Sequence, residues 1–303
     1  MTEQLPSYGG QAVIEGVMMR GRRACAVAVR NPDGVIQIER FDLGAVYRSR
    51  MADLPLLRGL VLLWDALGLG MRALTYSANV QAGEDEKIEG ASLWLTMAGS
   101  LAVGIGLFFL LPAGVALGAE RWLGWSTWAA NLVEGLIRLG LLLGYMWAIG
   151  RLPEVERVFG YHGAEHQTIH AFESGAELTP QSVLQFPREH PRCGTAFLLT
   201  VVVLSVLAFA LLGPLDWLPR LASRVLLIPI LAAVAYEYLR LTARFRHQRW
   251  ARWLLAPNLL IQRLTTRQPD ASMAEVAIAA FQAMRAWEQV DQADQQTAEA
   301  LAA

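Results

Sequence analysis

Long uncharged stretches dominate the pattern of hydrophobic and polar positions in this chain. Residues 90–119 contain no charged side chain, and about 20 apolar residues are enough for a helix to cross a hydrocarbon core of about 30 Å. Three further apolar segments follow, at residues 122–150, 193–215 and 225–243. The pattern predicts a mainly α-helical, polytopic membrane protein whose transmembrane domain, residues 90–243, holds four helices.

The second and fourth apolar segments are less uniform than the others. Glu134 and Arg138 lie four residues apart, so they can pair on one face of a helix. Charges within a membrane are costly even when paired. The functional alternative to a simple ion pair is therefore a polar cavity or a proton path. Pro229 lies in the fourth segment, where a membrane helix can accommodate it with a kink.

A small cytosolic β element is predicted within residues 1–53. Residues 24–30 and 35–39 are rich in β-prone side chains, and the turn sequence Asn31-Pro32-Asp33-Gly34 joins them. Such a turn between two β-prone runs is typical of a hairpin. The glycine-containing run of residues 9–21 lacks the Gly-Lys-Ser/Thr ending of a phosphate loop, and we expect it to form a packed strand against the histidine-rich loop.

Residues 54–80 form an apolar segment that is unlike the four predicted spans. The segment is broken by Pro55, Arg58, Asp65 and Arg72. Because these charges are expensive in hydrocarbon, we expect an interfacial or re-entrant helix there rather than a fifth span.

The C-terminal region, residues 244–303, is predicted to be a cytosolic amphipathic and helical tail. Arginine alternates with tryptophan and leucine near residues 252–255, as in a helix that lies among lipid headgroups. Further on, Ser272 and Glu275 have the spacing of a capping box that would start a last soluble helix.

The distribution of basic residues predicts the orientation of the spans. Ten Lys or Arg residues precede the first span, four lie between the second and third, eight lie at the end of the fourth span and beyond it, and only three lie in the two outer loops. The positive-inside rule then places both termini and the loop 151–192 in the cytoplasm. We therefore expect a multi-pass protein of the inner, cytoplasmic membrane.

Composition supports this class of protein and excludes others. Hydrophobic residues make up 54% of the chain and charged residues 17%, against about 25% charged in a typical soluble domain. No compact basic domain is present, so nucleic acid is not an expected partner. The two cysteines, Cys25 and Cys193, lie far apart and do not suggest a disulfide framework.

Four of the five histidines fall between residues 162 and 190, beside the cytoplasmic end of the second predicted span. On a helix, His162, His166 and Glu173 would lie within about 40° of one another. The order His162-x-x-Glu165-His166 is the inverted zincin spacing, in which two histidines bind zinc and the glutamate acts as general base. The pattern predicts a divalent metal ion, most plausibly zinc, although histidines on an exposed helix surface would give the same spacing.

Such a site needs a third protein ligand and keeps one position for water. The candidates are Glu173 on the same helix, the His190/Cys193 pair and Glu237. We expect Glu237, because the fourth span would run inward to the depth where the histidine helix begins.

Cys193, in the run His190-Pro191-Arg192-Cys193-Gly194-Thr195, has three interpretations. Its side chain could be a thiolate ligand, a nucleophile paired with a histidine, or a small buried group at a helix start. Glu15, in the N-terminal run, is a minor ligand candidate.

Several motifs in the same order resemble the bacterial membrane family DUF1385, also called YqhQ-like. They are the run 10–21, Pro55-Leu56-Leu57-Arg58-Gly59, Tyr161-His162-Gly163-Ala164-Glu165-His166, His190 to Thr195, and Gln262-Arg263-Leu264-Thr265-Thr266-Arg267. The resemblance spans nearly the whole chain. The resemblance implies a metal-dependent enzyme. That description of the family rests on motifs of the kind found here, and no reaction, substrate or partner is established for the family.

Two function classes follow from these residues. The first is a cytoplasm-facing metal-dependent hydrolase with Glu165 as base, acting on a membrane lipid, a lipid-linked molecule or a membrane-bound peptide. The second is a non-catalytic assembly or scaffold factor in which a structural ion ties the cytosolic loop to the spans and presents a surface to a protein partner or to a second copy of the chain. A closed four-ligand site indicates structure, and an open position indicates catalysis.

Overall fold

A computed structural model describes residues 8–41, 43, 51, 54–82, 91–245 and 248–302, with the main chain alone at residues 62, 65, 91–93 and 291–302. The chain is mainly helical with a small N-terminal antiparallel sheet, as predicted. The strands are β1 (Gly9–Val13), β2 (Gly16–Arg20), β3 (Cys25–Arg30) and β4 (Ile36–Phe41). The first helices are α1 (Leu57–Ala82), α2 (Ala91–Ile105), α3 (Leu111–Leu123), α4 (Thr127–Ile149), α5 (Pro153–Glu173) and α6 (Pro180–Val183). The others are α7 (Gly194–Leu211), α8 (Trp217–Leu226), α9 (Ile228–Arg244), α10 (Arg249–Thr265) and α11 (Ala271–Ala302).

The four strands pair in chain order, β1-β2-β3-β4. The predicted hairpin is confirmed, because Arg30 pairs with Ile36 across the turn and Gly34 takes a φ of 85°. The run expected to form one packed strand instead forms two, β1 and β2, which reverse at Glu15 with a φ of 51°. The sequence does not predict this turn, because residues 14–15 are not the Asn-Gly or Asp-Gly pair of a typical two-residue hairpin.

Both faces of the sheet are covered by helices. Val17 and Met19 point to one face and pack with Phe281 of α11, whereas Met18 points to the other and packs with Leu69 of α1. This alternation is the period-two pattern of a strand buried on both sides. The N-terminal sheet and the last helix, which the sequence assigns to separate regions, therefore share one core.

Among the described residues, three helices are long and apolar enough to cross a membrane: 94–123, α4 and α7. The first joins α2 and α3 through a π-helical turn, Gly106–Leu110. The bent pair α8 and α9 would make a fourth span if it crosses as one unit. The expected number of four is thus reached only with this pair, whose two halves meet at 42°, and Pro229 lies in the first turn of α9.

The helix α1 is one continuous helix of 26 residues, and it is not among those three. Its buried residues Leu69 and Ala73 cover the sheet. The sequence assigned residues 54–80 to an interfacial or re-entrant helix, and the placement of this helix relative to a membrane stays a prediction.

Part of the predicted outer loop between the third and fourth apolar segments is in fact helix α8, and its arginines are buried. Glu134 accepts hydrogen bonds from Arg138 at 2.7 Å and from Arg224 Nε at 2.9 Å. Arg220 bonds to Asn131 at 2.8 Å and to Glu120 at 2.7 Å. The predicted pairing of Glu134 with Arg138 is confirmed, within a larger network that links α3, α4 and α8.

The start of α11 differs from the predicted capping box. Asp270 is the capping residue, because its Oδ1 accepts the Met273 N–H at 2.9 Å and the Ser272 hydroxyl at 2.6 Å. Glu275 does not reach back to the helix end; it accepts a hydrogen bond from Arg30 at 2.9 Å. A capping box was therefore the wrong motif, since Asp270, two residues before Ser272, supplies the cap.

Candidate metal centre

The helix α5 carries the predicted histidine cluster. Pro153 occupies its first turn together with Glu154 and Glu156. Proline suits that position because its missing N–H has no partner there, and acidic side chains favour the positive end of the helix dipole. The chain thus starts a helix where His162, Glu165 and His166 fall on neighbouring turns.

Backbone carbonyls fix the orientation of both histidines. His162 Nδ1 lies 2.9 Å from the Thr265 carbonyl oxygen, and His166 Nδ1 lies 2.5 Å from that of Arg188. A carbonyl oxygen can only accept, so each Nδ1 carries a proton, and in the neutral imidazole the lone pair is then on Nε2. This is the arrangement that holds metal-binding histidines in known sites.

The third member of the group is Cys193. Its sulfur lies 3.2 Å from His162 Nε2, and one donor atom each from His162, His166 and Cys193 lie within 4.8 Å of one another. Zinc bonds of about 2.0–2.1 Å to nitrogen and about 2.3 Å to sulfur place tetrahedral ligand atoms roughly 3.3–3.7 Å apart. The three side chains can therefore hold a zinc-sized ion after small rotations.

Glu165 lies against both histidines. Its Oε2 is 3.9 Å from the Nε2 atom of His162 and 3.9 Å from that of His166. Burial raises the pKa of this carboxyl to about 7, against the lowering influence of His162, of the Gly10 N–H that bonds to it and of the Arg192 charge. A carboxyl group with a pKa near neutrality is suited to accept and return a proton.

Gly10 of β1 permits this contact. A Cβ at this position would lie 2.9 Å from Glu165 Cγ and 2.4 Å from the Met18 carbonyl oxygen. Only a residue without a side chain lets the strand come so close to the carboxylate. The expectation that the N-terminal run lies against the histidine segment is confirmed for β1.

The loop before α7 is tied to α5 at successive carbonyls. Gln167 Nε2 donates to Phe186 O at 2.6 Å, and His170 Nε2 lies 2.9 Å from Glu189 O. Gln262 of α10 bonds to both the N–H and the carbonyl of His190, at 2.7 and 2.9 Å. These anchors place Cys193 beside His162.

The structure does not bring the expected carboxylate ligands to the group. Glu237 accepts hydrogen bonds from Arg58 Nε at 2.7 Å and from the Leu56 N–H at 3.1 Å, and Glu173 pairs with Arg192. The inward direction of the fourth span was not enough to place Glu237, because α1 packs against that end of α9 and supplies an arginine. His190 lines the same cavity without joining the group of three.

Glu15, the minor candidate, also lies elsewhere. Its carboxylate bonds to Arg157 at 2.5 Å and to the Tyr161 hydroxyl at 3.1 Å. These bonds hold the pKa of Glu15 below its ordinary value. Glu15 thus joins the β1–β2 turn to α5 on the turn before His162.

A small cavity opens onto this group. Its volume is about 80 Å³, room for two or three waters at about 30 Å³ each. Its lining comprises Tyr8, Gly9, Gly10, His162, Glu165, His166, His190, Arg192, Cys193 and Gly194. Sequence reasoning missed Gln262 and Thr265 as parts of the site, although both lie in the run 262–267.

Comparison with known proteins agrees with the resemblance found in the sequence. The family described as "Protein of unknown function (DUF1385)" matches residues 54–287. The "Uncharacterized protein YqhQ" of Bacillus subtilis (strain 168) is 35% identical over 295 residues, which cover 91% of each chain. No solved structure matches the chain. The chain therefore belongs to the DUF1385 family, the class of YqhQ-like proteins, whose function is unknown.

Proposed function

We propose that this protein is a metal-dependent membrane enzyme, a hydrolase at the cytoplasmic face, with zinc held by His162, His166 and Cys193. One observation carries the proposal. The Nε2 atoms of His162 and His166 lie close to the sulfur of Cys193, beside the buried carboxylate of Glu165. In each ring the other nitrogen, Nδ1, is bonded to a backbone carbonyl, so Nε2 is available to a metal ion. Imidazole and thiolate together are a ligand set that suits zinc.

The apolar surface of the helices supports a membrane location. In the three candidate spans, 17%, 28% and 33% of the most apolar window is buried inside the protein. An exposed apolar surface of this extent is a liability in water and a suitable contact for lipid. We place the protein in the inner, cytoplasmic membrane, with the sheet, α5 and both termini in the cytoplasm; the outermost residues of both termini lie outside the described residues.

The position of the centre points to a substrate in or on the membrane. Cys193 caps the N-terminus of α7, one of the candidate spans, so the site would lie where that helix enters the bilayer. The amphipathic helix α10 exposes Trp253 and Leu260, and its last residue, Thr265, holds His162. A membrane lipid, a lipid-linked molecule or a membrane-bound peptide is the substrate class that fits this placement.

Each residue has a role in the proposed reaction. A zinc ion in such a site lowers the pKa of bound water towards 7 and polarises the bond to be cleaved. Glu165 accepts the proton that the attacking water loses and returns it to the leaving group. The carbonyls of Thr265 and Arg188 hold the two imidazoles in the tautomer that keeps Nε2 free.

Metal content tests the ligand assignment. We expect about one zinc per chain in protein purified without added metal, and loss of most of it in His162→Ala, His166→Ala and Cys193→Ala. Cys25→Ala removes a thiol buried in the sheet and His247→Ala removes the one histidine outside the cluster of residues 162–190, and both should keep the ion. Equal zinc content in all five variants, measured by elemental analysis, would refute the centre.

Glu165→Gln then separates catalysis from a structural ion. If Glu165 is the base, the variant keeps zinc and loses hydrolysis of ester and phosphoester probes, because an amide cannot accept the proton. Loss of zinc would instead make Glu165 a fourth ligand or a partner that orients one of the histidines. A closed four-ligand site would favour the scaffold function, with a protein partner or a second copy of the chain as its target.

A cysteine nucleophile is the second candidate, favoured by the 3.2 Å separation of Cys193 Sγ and His162 Nε2. The thiol of Cys193 would be the nucleophile, the imidazole of His162 its base, and the Thr265 carbonyl, bonded to the other ring nitrogen, the group that orients the base. Alkylation by iodoacetamide distinguishes the two. A zinc-bound thiolate reacts only after a chelator removes the ion, whereas a free nucleophile reacts at the same rate with and without the chelator.

A further inference from the structure

Arg192 lies on the cavity wall, and the proposed reaction has not used it. It precedes Cys193 directly and lines the cavity together with His162, Glu165 and His166. A permanent cation beside a metal-binding group is suited to an anionic ligand.

The guanidinium of Arg192 is oriented but incompletely bonded. One end pairs with Glu173, which fixes the direction of the planar group. The Nε–H is buried and has no hydrogen-bond partner within the described part of the chain. Buried donors are almost always bonded in folded proteins, so such a group needs an explanation.

From these observations we propose that Arg192 binds an anionic oxygen of the substrate, so that the site takes a molecule with a phosphate group near the bond that is cleaved. The inference rests on the proposed function and names its substrate class. Arginine presents its N–H groups in a fixed fork that matches the oxygens of phosphate. The volume of about 80 Å³ admits such a headgroup and leaves the remainder of the substrate outside the cavity.

Neighbouring groups support a negatively charged ligand. Gly194, the first residue of α7, lies at the same cavity edge, and a helix N-terminus favours negative charge. The fixed loop contributes as well, because Gln262 holds His190 through two hydrogen bonds. Arg192 is thus presented from a stiff segment, as a binding residue requires.

Equilibrium dialysis with radiolabelled inorganic phosphate tests the proposal on the full-length protein in detergent, both zinc-loaded and metal-free. We expect Arg192→Gln to bind phosphate about tenfold more weakly or worse, the effect expected for losing a charge-assisted bond, with zinc content unchanged. Arg192→Lys keeps the charge without the fork and should lie between the two. Arg263→Gln is the matched control, since Arg263 pairs with Glu189 of the same loop and is largely exposed.

The outcomes are separable. Equal phosphate affinity in the wild type, Arg192→Gln and Arg192→Lys, or no phosphate binding by the wild type, overturns the proposal. If the wild-type protein binds no zinc, the proposed function is refuted instead. Phosphate binding to the metal-free protein then still tests the role of Arg192. Competition by lysophosphatidate but not by lysophosphatidylcholine would assign the site to a lipid headgroup with a terminal phosphate, and competition by neither would assign it to a water-soluble phosphate.

Discussion

Gly10 controls the distance between β1 and the carboxylate of the candidate centre. A side chain there would meet Glu165 and the Met18 carbonyl, and the carbonyl belongs to a strand that cannot move independently. We expect Gly10→Ala to lower the free energy of unfolding by about 1–3 kcal/mol, the usual cost of overpacking. It should also weaken zinc binding, because Glu165 would be pushed towards the histidines.

Gly9→Ala is the matched control for that variant. No atom lies within 4 Å of a Cβ built at Gly9, so this substitution should leave thermal stability and zinc content unchanged. Thermal unfolding of both variants in the same detergent makes the comparison. If Gly10→Ala is as stable as Gly9→Ala, the close approach of β1 to α5 is incorrect.

At the scale of elements, the buried ion network joins α8 to α4. The side chains of Glu134, Arg138 and Arg224 are at most 2% exposed, and Phe209 of α7 packs over two of the guanidinium groups. A lone buried charge is much less stable than a paired one. The network therefore holds the first half of the bent helix pair against the remainder of the bundle.

Removing the carboxylate should loosen that contact. Glu134→Gln leaves Arg138 and Arg224 without their shared counter-charge, and we expect a loss of about 3–5 kcal/mol. Arg263→Gln, which breaks an exposed pair, should cost less than about 1 kcal/mol. Thermal denaturation in detergent measures both, and equal melting temperatures would show that the network contributes little.

At the scale of the whole molecule, the sheet, α5 and α11 lie together at one end of the bundle. The turn between α3 and α4 and the segment before α8 lie at the other end, because α4 and α7 run from one end to the other. If the apolar helices cross the membrane, these two ends face different compartments. The basic residues of the N-terminal region and of the loop 151–192 favour the cytoplasm for the first end.

Cysteine labelling tests this orientation. A cysteine at the exposed Val35, in the β3–β4 turn, should react with an impermeant maleimide only after cells are opened. A cysteine at the exposed Trp122, near the end of α3, should react in intact cells. Both native cysteines are buried, so they form a low background. Reaction of the Val35 site in intact cells would reverse the topology.

Local features of the sequence were enough to predict several parts of this protein. The apolar runs predicted the long helices, the Asn-Pro-Asp-Gly turn predicted the β3–β4 hairpin, and the spacing of His162 and His166 predicted a shared helix face. Each of these depends on neighbours a few residues apart, because helix periodicity and turn geometry are short-range properties. The family membership could be seen at the same level, since its motifs are short and stand in a fixed order.

Only the tertiary structure decided which residues meet across long separations. It brought Cys193 rather than Glu237 to the histidines, paired Arg224 with Glu134, and placed the Thr265 carbonyl behind His162. A carbonyl is present in every residue, so no side-chain pattern marks the one that will accept a particular hydrogen bond. Helix direction by itself also does not determine which residue becomes a metal ligand. The contact of α9 with α1 determines where Glu237 lies, and the contacts of the loop 186–193 with α5 and α10 determine where Cys193 lies.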